Sequence, residues 1–576
     1  MILSLRARNL QGALRALLLL GPALAGPAPA QGPGQWRIFD RLPGNARGLQ
    51  FGTSVAAVGD VDGDGVGDFA VGAPKADVGS EIGAGAVFLF SGADRRLLRQ
   101  LRGSRRRDHF GMAVAGAGDL DGDGLGDILV GAPESDPRNR QGAGRASVWS
   151  GATGALLFHF EGMVETAGYG SSVAGGGDAD GDGVPDLLIG APGPTPCYYV
   201  TWDRGYVHLR SGRDGSVLRA VQGRDDDNRG HVVAFLGDLD ADGQDDWLVS
   251  SPIAWSPDGF MGTGMITVRS GASGRARFRA WGPEHGAQLG QGAAGLGDVD
   301  GDGVPDFAAS APNAESGGQE LGLLQVWSGA SGRLLYEIPG PGPVHTWGWL
   351  LRPAGDLNGD GRPDLAITGS SSSYQPTLEL RSGPDGTLLH RFAGEVDFTA
   401  DVGDAAPLGD LNGDGYGELL VGLPNADPGG FHRAGLVVIL GYDPFLAAHP
   451  RSLAASAGGS VVLTLDFPPD QAGAGWQLLL SASGTGPTTV GGLQVPLSDD
   501  ALFQRTLAGD YSMLEQVSGA LGILDATGDG RITIRFSPGS LDPVAGQSFY
   551  AAVITGPRSS GLAQRSSAAV EIQVTP

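Results

Sequence analysis

The most constraining feature of the chain is a nine-residue acidic segment that recurs seven times. It reads DVDGDGVGD at its first position, Asp60, and the seven copies start 54 to 60 residues apart. A segment repeated at a nearly constant spacing predicts an array of similar structural units, each of which packs against its neighbours.

The acidic positions within each copy predict a site for a hard cation. Oxygen-bearing side chains stand at positions 1, 3, 5 and 9, a glycine at position 6 permits a sharp turn, and position 7 can offer its carbonyl. Calcium takes six to eight oxygen ligands, and the loops hold none of the Cys or His ligands that zinc or copper prefer. The sequence therefore predicts calcium as the cofactor, with up to seven ions.

The seven predicted ligand sets share this order of positions 1, 3, 5, 7 and 9. They are Asp60, Asp62, Asp64, Val66 and Asp68; Asp119, Asp121, Asp123, Leu125 and Asp127; Asp178, Asp180, Asp182, Val184 and Asp186; Asp238, Asp240, Asp242, Gln244 and Asp246; Asp298, Asp300, Asp302, Val304 and Asp306; Asp356, Asn358, Asp360, Arg362 and Asp364; and Asp410, Asn412, Asp414, Tyr416 and Glu418. The last two sets have one carboxylate fewer, which predicts weaker calcium sites.

The residues after each loop argue against an EF-hand. An EF-hand needs a bidentate Glu at position 12, where this chain has apolar residues such as Val71, Val130 and Ile189. The loops therefore run into buried β-strands.

Each repeat contains four short apolar runs, which in the second copy are 110–114, 128–130, 146–150 and 156–160. Four strands in about sixty residues predict an all-β fold, a seven-bladed β-propeller. The last unit lacks a fourth run, and residues 36–40 can supply that strand and close the ring.

Two recurring short motifs flank each of the first three loops. Phe51-Gly52 is followed by Gly72-Ala73-Pro74, and the pattern returns at 110–111 with 131–133 and at 169–170 with 190–192. The chain therefore resembles the FG-GAP repeats of the integrin α-subunit propeller over residues 36–442. The resemblance implies a calcium-stabilised extracellular binding or adhesion module that meets its partner on the face opposite the metal loops.

Two further segments flank the propeller. Residues 1–30 combine arginines, an apolar run and a small-residue stretch, which predicts a cleaved secretory signal and a secreted or cell-surface protein. Residues 443–576 show alternating strands typical of a smaller β-sandwich-like domain. No segment predicts a transmembrane helix.

The distribution of charged residues limits the classes of partner that are expected. The seven loops hold 27 of the 64 acidic residues, and the other 37 nearly balance the 39 Lys and Arg residues. Nucleic acid is not expected as a partner of an acidic, exported chain. The expected partner is an extracellular protein or a glycan.

The face opposite the metal loops offers candidate ligand-binding residues. Its predicted loops carry adjacent aromatic side chains, namely Tyr198, Tyr199, Trp202, Trp255 and Phe260. These aromatic residues are expected either to bind a protein or glycan or to pack locally over the central channel.

A second class of function stays open at this point, a secreted carbohydrate-active lyase or hydrolase. Four of the nine histidines, including His109, His231 and His285, are expected on the face opposite the metal loops, where one could act as a base. No pair of base and nucleophile is evident, so no catalytic residue and no cofactor-binding residue other than the metal ligands is assigned.

Overall fold

The computed structural model describes residues 35–193, 204–224, 227–316, 318–341, 347–370, 376–393, 398, 400–412 and 414–449. It also describes most of 452–575, with gaps at 455, 458, 468–473, 483–487, 491–492, 496, 499, 509–515, 519, 525–528, 538–544, 546, 557–564 and 568–569. The expected signal segment, 1–30, lies outside the described residues.

The repeat region forms seven four-stranded antiparallel sheets, as the sequence predicts. The N-terminal strand is β1 (Gln35–Pro43). The first three sheets contain β2 (Ser54–Gly59), β3 (Asp68–Ala73), β4 (Ala86–Phe90) and β5 (Leu97–Arg102); β6 (Ala113–Gly118), β7 (Asp127–Ala132), β8 (Arg145–Trp149) and β9 (Leu156–Glu161); and β10 (Ser172–Gly177), β11 (Asp186–Ala191), β12 (Tyr206–Arg210) and β13 (Val217–Gln222).

The next three sheets follow the same order. They contain β14 (Val233–Gly237), β15 (Asp246–Ser251), β16 (Met265–Arg269) and β17 (Ala276–Trp281); β18 (Gly292–Gly297), β19 (Asp306–Ala311), β22 (Leu323–Trp327) and β23 (Leu334–Pro339), with the short hairpin β20 (Glu315–Ser316) and β21 (Gln319–Glu320) between β19 and β22; and β24 (Leu351–Gly355), β25 (Asp364–Ser370), β26 (Pro376–Arg381) and β27 (Leu388–Ala393).

The seventh sheet combines the two ends of the repeat region. It holds β28 (Asp404–Gly409), β29 (Glu418–Leu423) and β30 (Leu436–Asp443), and its order is β1-β30-β29-β28. The first strands of consecutive sheets lie side by side, and β28 lies beside β2, so the seven inner strands form a closed ring. This arrangement is a β-propeller.

Each sheet places its metal loop in the same way. The second strands β3, β7, β11, β15, β19 and β29 are buried along their whole length. All seven first strands shift register just before the loop, for example between Ala57 and Gly59. Such a β-bulge bends the strand end, so it aims each loop away from the sheet.

Hydrogen bonds between loops show which connections lie on the same face of the propeller. The loop between the first and second strands contacts the turn between the third and fourth, as when Gly92 N–H donates to Asp68. The loop between the second and third strands contacts the connection to the next sheet, as when Phe110 N–H donates to the carbonyl of Ala84. We call the side with the second pair of loops the opposite face.

The C-terminal unit contains two further main sheets. Their orders are β31-β33-β39-β37 and β32-β42-β40-β34-β38, with β41 paired to β40, and a separate hairpin joins β35 and β36. The bounds are β31 (Leu446–His449), β32 (Ser452–Ala454), β33 (Gly459–Asp466), β34 (Gly475–Ser481), β35 (Thr488–Val490), β36 (Leu493–Val495), α1 (Ala501–Leu507), β37 (Gln516–Ser518), β38 (Leu521–Ile523), β39 (Asp529–Phe536), β40 (Ser548–Gly556), β41 (Arg565–Ser566) and β42 (Val570–Thr575). Side chains of both main sheets, such as Leu463 and Leu478, share one buried apolar cluster.

Candidate metal loops and the opposite face

The first Asp of each loop organises the turn around itself. The two carboxylate oxygens of Asp60 accept hydrogen bonds from the N–H groups of Gly63 at 2.6 Å and Gly65 at 2.8 Å. Partial burial alone would raise the pKa of Asp60, but these backbone donors lower it below its ordinary value. Equivalent bonds form around Asp119, Asp178, Asp298 and Asp356.

The ninth residue ties the loop to the rest of its sheet. Asp68 is buried, and its carboxylate accepts from the N–H of Val61 at 2.8 Å and of Gly92 at 2.8 Å. The glycine belongs to a Ser-Gly pair in the turn between the third and fourth strands. This pair recurs at 91–92, 150–151, 211–212, 270–271, 328–329 and 382–383, a repeated signal that the acidic motif alone does not reveal.

Burial changes the acidity of these ninth residues. Desolvation raises the pKa of Asp127, Asp186 and Asp246 to about 6, and that of Asp364 to about 8. A bound cation would favour the ionised form and reverse this trend. The loops therefore hold carboxylates whose charge is costly unless a positive charge is nearby.

In several loops the carboxylates converge closely enough to hold one ion. One oxygen from each member of a group lies within 4.8 Å of the others. Two oxygens bound to the same calcium ion at about 2.3 to 2.6 Å can be at most about 5 Å apart, so the donor sets fit this ion. The groups include Asp60 with Asp62 and Asp68; Asp119 with Asp121 and Asp127; Asp178 with Asp180 and Asp186; Asp238 with Asp240 and Asp242; and Asp298 with Asp300 and Asp302.

The sixth loop keeps the same turn, and the described residues of the seventh loop keep part of it, with one amide in place of a carboxylate in each. Asn358 accepts from the N–H of Asp360 at 2.9 Å, and its own amide nitrogen lies 3.2 Å from the Asp360 carboxylate. In the seventh loop, Asn412 accepts from the N–H of Asp414 at 2.8 Å. The turn therefore does not depend on the missing charge.

Among the described residues, arginine side chains pair with carboxylates of three loops. Arg213 lies 2.5 Å from a carboxylate oxygen of Asp182, Arg96 pairs with Asp62, and Arg277 pairs with Asp240. Their guanidinium groups offset part of the negative charge in the first, third and fourth loops.

The opposite face carries exposed apolar side chains. Trp255 is 48% exposed and Phe260 is 54% exposed, and both belong to the loop between β15 and β16. Met261 in the same loop is half exposed, and Met163, in the connection between the second and third sheets, is 69% exposed. The aromatic pattern did not reveal the methionines. Tyr198, Tyr199 and Trp202 lie outside the described residues.

Three of the described histidines make separate contacts. His109 lies 3.1 Å from Glu134, His231 is half-buried near Arg352, and His208 packs against Tyr169. His345 lies outside the described residues. Within the part of the chain that the structure describes, these three histidines therefore contact a carboxylate, an arginine and a tyrosine, and not one another.

A closed ring of seven sheets with an acidic loop in each defines a β-propeller with repeated acidic loops, and comparisons with known families agree. Residues 51–90, 110–149, 169–209 and 291–327 match the FG-GAP repeat, and residues 356–421 match an FG-GAP-like repeat. The acidic groups are typical of FG-GAP calcium sites. The chain carries FG-GAP repeats and has distant integrin alpha homologues over the propeller region.

Three integrins illustrate the similarity. Integrin alpha-5 of Xenopus laevis is 34% identical over 221 residues, which are 35% of this chain and 20% of that protein. Integrin alpha-IIb of Homo sapiens is 36% identical over 172 residues, or 27% of this chain and 16% of that protein. Integrin alpha-PS2 of Drosophila melanogaster is 34% identical over 174 residues, or 27% and 12%. The chain thus spans a fifth or less of the length of these curated relatives.

Among the described residues, no helix has the length and apolar character needed to cross a membrane.

Proposed function

We propose that this protein is a secreted, calcium-binding β-propeller that captures an extracellular protein or glycan through the face opposite its metal loops. The observation that carries the proposal is the convergence of carboxylate oxygens within 4.8 Å in loop after loop of a closed ring. The similarity to integrin alpha subunits supports an extracellular binding role.

The proposed ligands are the side chains at positions 1, 3, 5 and 9 and the carbonyl at position 7 of each loop. Calcium would neutralise the clustered carboxylates and keep the buried ninth residue ionised. Up to seven ions would be held, with the sixth and seventh sites weakest because each has one charge fewer.

The proposed partner surface rests on exposure. Large apolar side chains are seldom left in solvent as a group unless they contact a partner. Trp255, Phe260 and Met261 lie within seven residues of one another and are each about half exposed. Aromatic residues and methionine are enriched where proteins bind one another.

The domain limits are proposed with the function. Residues 1–30 are the signal segment, 36–442 the propeller with its N-terminal strand in the last blade, and 443–576 a smaller β-sandwich-like domain. The sheet order β1-β30-β29-β28 and the shared apolar cluster of the C-terminal sheets support these limits.

The metal part is tested by elemental analysis of protein purified without chelators. Several calcium atoms per chain are expected. Material free of alkaline-earth metal would contradict the proposal.

The binding part is tested on glycan and matrix-protein arrays with and without calcium. The double variant Trp255→Ala, Phe260→Ala should lose capture while its melting temperature changes little. The matched control is Leu156→Ala, Leu334→Ala, which removes exposed apolar side chains from the outer strands β9 and β23. Equal capture by both variants would show that the opposite face does not bind the partner. Product analysis on any glycan hit detects cleavage, which would favour the enzyme alternative.

A further inference from the structure

The third and fourth metal loops are joined by a reciprocal pair of hydrogen bonds. The N–H of Asp245 donates to the carbonyl oxygen of Asp178 at 2.7 Å. The N–H of Asp178 donates to the carboxylate of Asp245 at 2.9 Å. Asp245 is the eighth residue of the fourth loop, whereas Asp178 is the first residue of the third. A residue outside the third loop thus holds both sides of its first residue.

Among the described residues, the same loop position makes fewer of these hydrogen bonds in five other loops. The N–H of the eighth residue reaches the first residue of the preceding loop from Gly126 to Asp60 at 2.9 Å and from Gly417 to Asp356 at 2.6 Å. Glycine has no carboxylate to return the bond. The eighth residue is Pro185, Pro305 or Pro363 in the third, fifth and sixth loops, and proline has no N–H to donate.

We propose that Asp245 is a positioning residue for the third metal site and couples that site to the fourth. The inference rests on the proposed calcium function of the loops. Asp245 is the fifth acid of its own loop, but its carboxylate faces the third loop and not the oxygen group formed by Asp238, Asp240 and Asp242.

The argument depends on what Asp178 does. Its carboxylate accepts from Gly181 at 2.8 Å, Asp182 at 3.2 Å and Gly183 at 2.9 Å, so it shapes the whole turn. Fixing the peptide groups on both sides of Asp178 fixes the starting point of that carboxylate. The side chain of Gln244 also packs here, because its Cγ lies 3.2 Å from the position of a Cβ on Gly181. Ordering the fourth loop therefore orders the third.

Three substitutions at position 245 remove different numbers of the hydrogen-bonding groups that contact Asp178. Asp245→Asn keeps the N–H and a side-chain acceptor, Asp245→Gly keeps only the N–H, and Asp245→Pro removes both. Glycine and proline already occupy the same position in other loops of this chain, so the Gly and Pro variants copy loops that the fold accommodates.

The readout is calcium-dependent hydrogen exchange, followed by mass spectrometry, of a peptide covering 178–186 in the full-length protein. Loss of two hydrogen bonds should raise the calcium midpoint of this peptide about tenfold in Asp245→Pro. Asp245→Gly should show a smaller rise, and Asp245→Asn should stay close to the unmodified protein. The peptide 298–306, from the fifth loop, is the internal control and should not move in any variant.

The outcomes separate the two proposals. If no loop peptide responds to calcium, the metal function itself is wrong. If both peptides respond but Asp245→Pro leaves the 178–186 midpoint unchanged, only the positioning role of Asp245 is overturned. If Asp245→Asn shifts that midpoint as far as Asp245→Pro, charge and not hydrogen bonding is responsible, and the positioning role is again overturned.

Coupling has its own test. Asp242→Ala disables the fourth loop and should raise the calcium midpoint of 178–186 several-fold, because a disordered fourth loop no longer holds its two hydrogen bonds to Asp178. Asp302→Ala disables the fifth loop, whose eighth residue is Pro305, and should move the 238–246 peptide much less. Equal shifts at the two seams would contradict coupling through Asp245.

Discussion

The repeat region and the C-terminal unit distribute their apolar side chains differently. The repeat region divides them among several separate clusters, for example one around Val87 and Leu89 and another around Leu187 and Ile189. The main sheets of the C-terminal unit share one larger cluster that includes Leu463, Leu478 and Ile572. Between its clusters the repeat region relies on long polar loops whose carboxylates order the backbone. We therefore expect the stability of the repeat region to depend on calcium and that of the C-terminal unit to depend on its apolar core.

Removing calcium is expected to have the largest effect. Each ion at about 100 times its dissociation constant adds about 2.7 kcal/mol, so losing several ions should lower the melting temperature of the repeat region by about 10 °C or more. The C-terminal unit should be little changed. Calorimetry and hydrogen exchange with and without chelator measure the stability of each region. Equal losses of stability in both regions would contradict the expected difference between them.

Truncating the C-terminal core should come next. Leu463→Ala removes a fully buried side chain from the shared cluster, and such changes cost about 2 to 5 kcal/mol. The loss should be the same with calcium and with chelator, because no acidic loop is involved. Denaturant unfolding of the variant in both conditions measures it; a loss confined to one condition would count against the expectation.

Unlike the loss from Leu463→Ala, the loss of stability from a substitution in a metal loop should depend on calcium. Asp60→Ala removes the carboxylate that accepts from Gly63 and Gly65. The variant should lose about 2 to 3 kcal/mol in saturating calcium and much less after chelation, since the unmodified protein has then already lost that ion. Equal losses in both conditions would mean that the loop is held by its hydrogen bonds alone.

The smallest expected effect concerns a part of the repeat region that does not depend on calcium. Burial, reinforced by Arg210, lowers the pKa of His208 from 6.5 to about 4. The unfolded chain therefore takes up the proton first, and stability falls as the pH drops from 6.5 toward 4.

Measured at fixed calcium, the unmodified protein should lose about 1 to 2 kcal/mol more than His208→Gln between pH 6.5 and 4.5, after allowing for partial exposure. Identical pH profiles for the two proteins would exclude His208 as the source of acid sensitivity.

The sequence predicted the fold well because its strongest signals are local and repeated. Residues such as Asp60 and Asp68 mark where a loop begins and where a buried strand follows, and the structure confirms the seven sheets. The role of Gly92 in holding Asp68 depends on a contact between distant turns. The acidic motif does not indicate that contact, whereas the repeated Ser-Gly pair does indicate it.

The role of Asp245 was harder to predict. In the sequence it reads as one more acid in a cluster, since its neighbour Asp246 is a ligand candidate. Only the placement of consecutive sheets brings it to Asp178. The exposed Met163 and Met261 were missed for a related reason, because exposure depends on which loops cover one another.

The order β1-β30-β29-β28 has a consequence for biosynthesis. About 390 residues separate β1 from β30, and at about 5 to 20 residues per second a ribosome needs roughly 20 to 80 s to make them. Throughout that time the earliest strand has no native neighbour, and its amide and carbonyl groups remain available to other chains. A holding chaperone that recognises extended, unpaired segments would therefore matter most for β1, Gln35–Pro43.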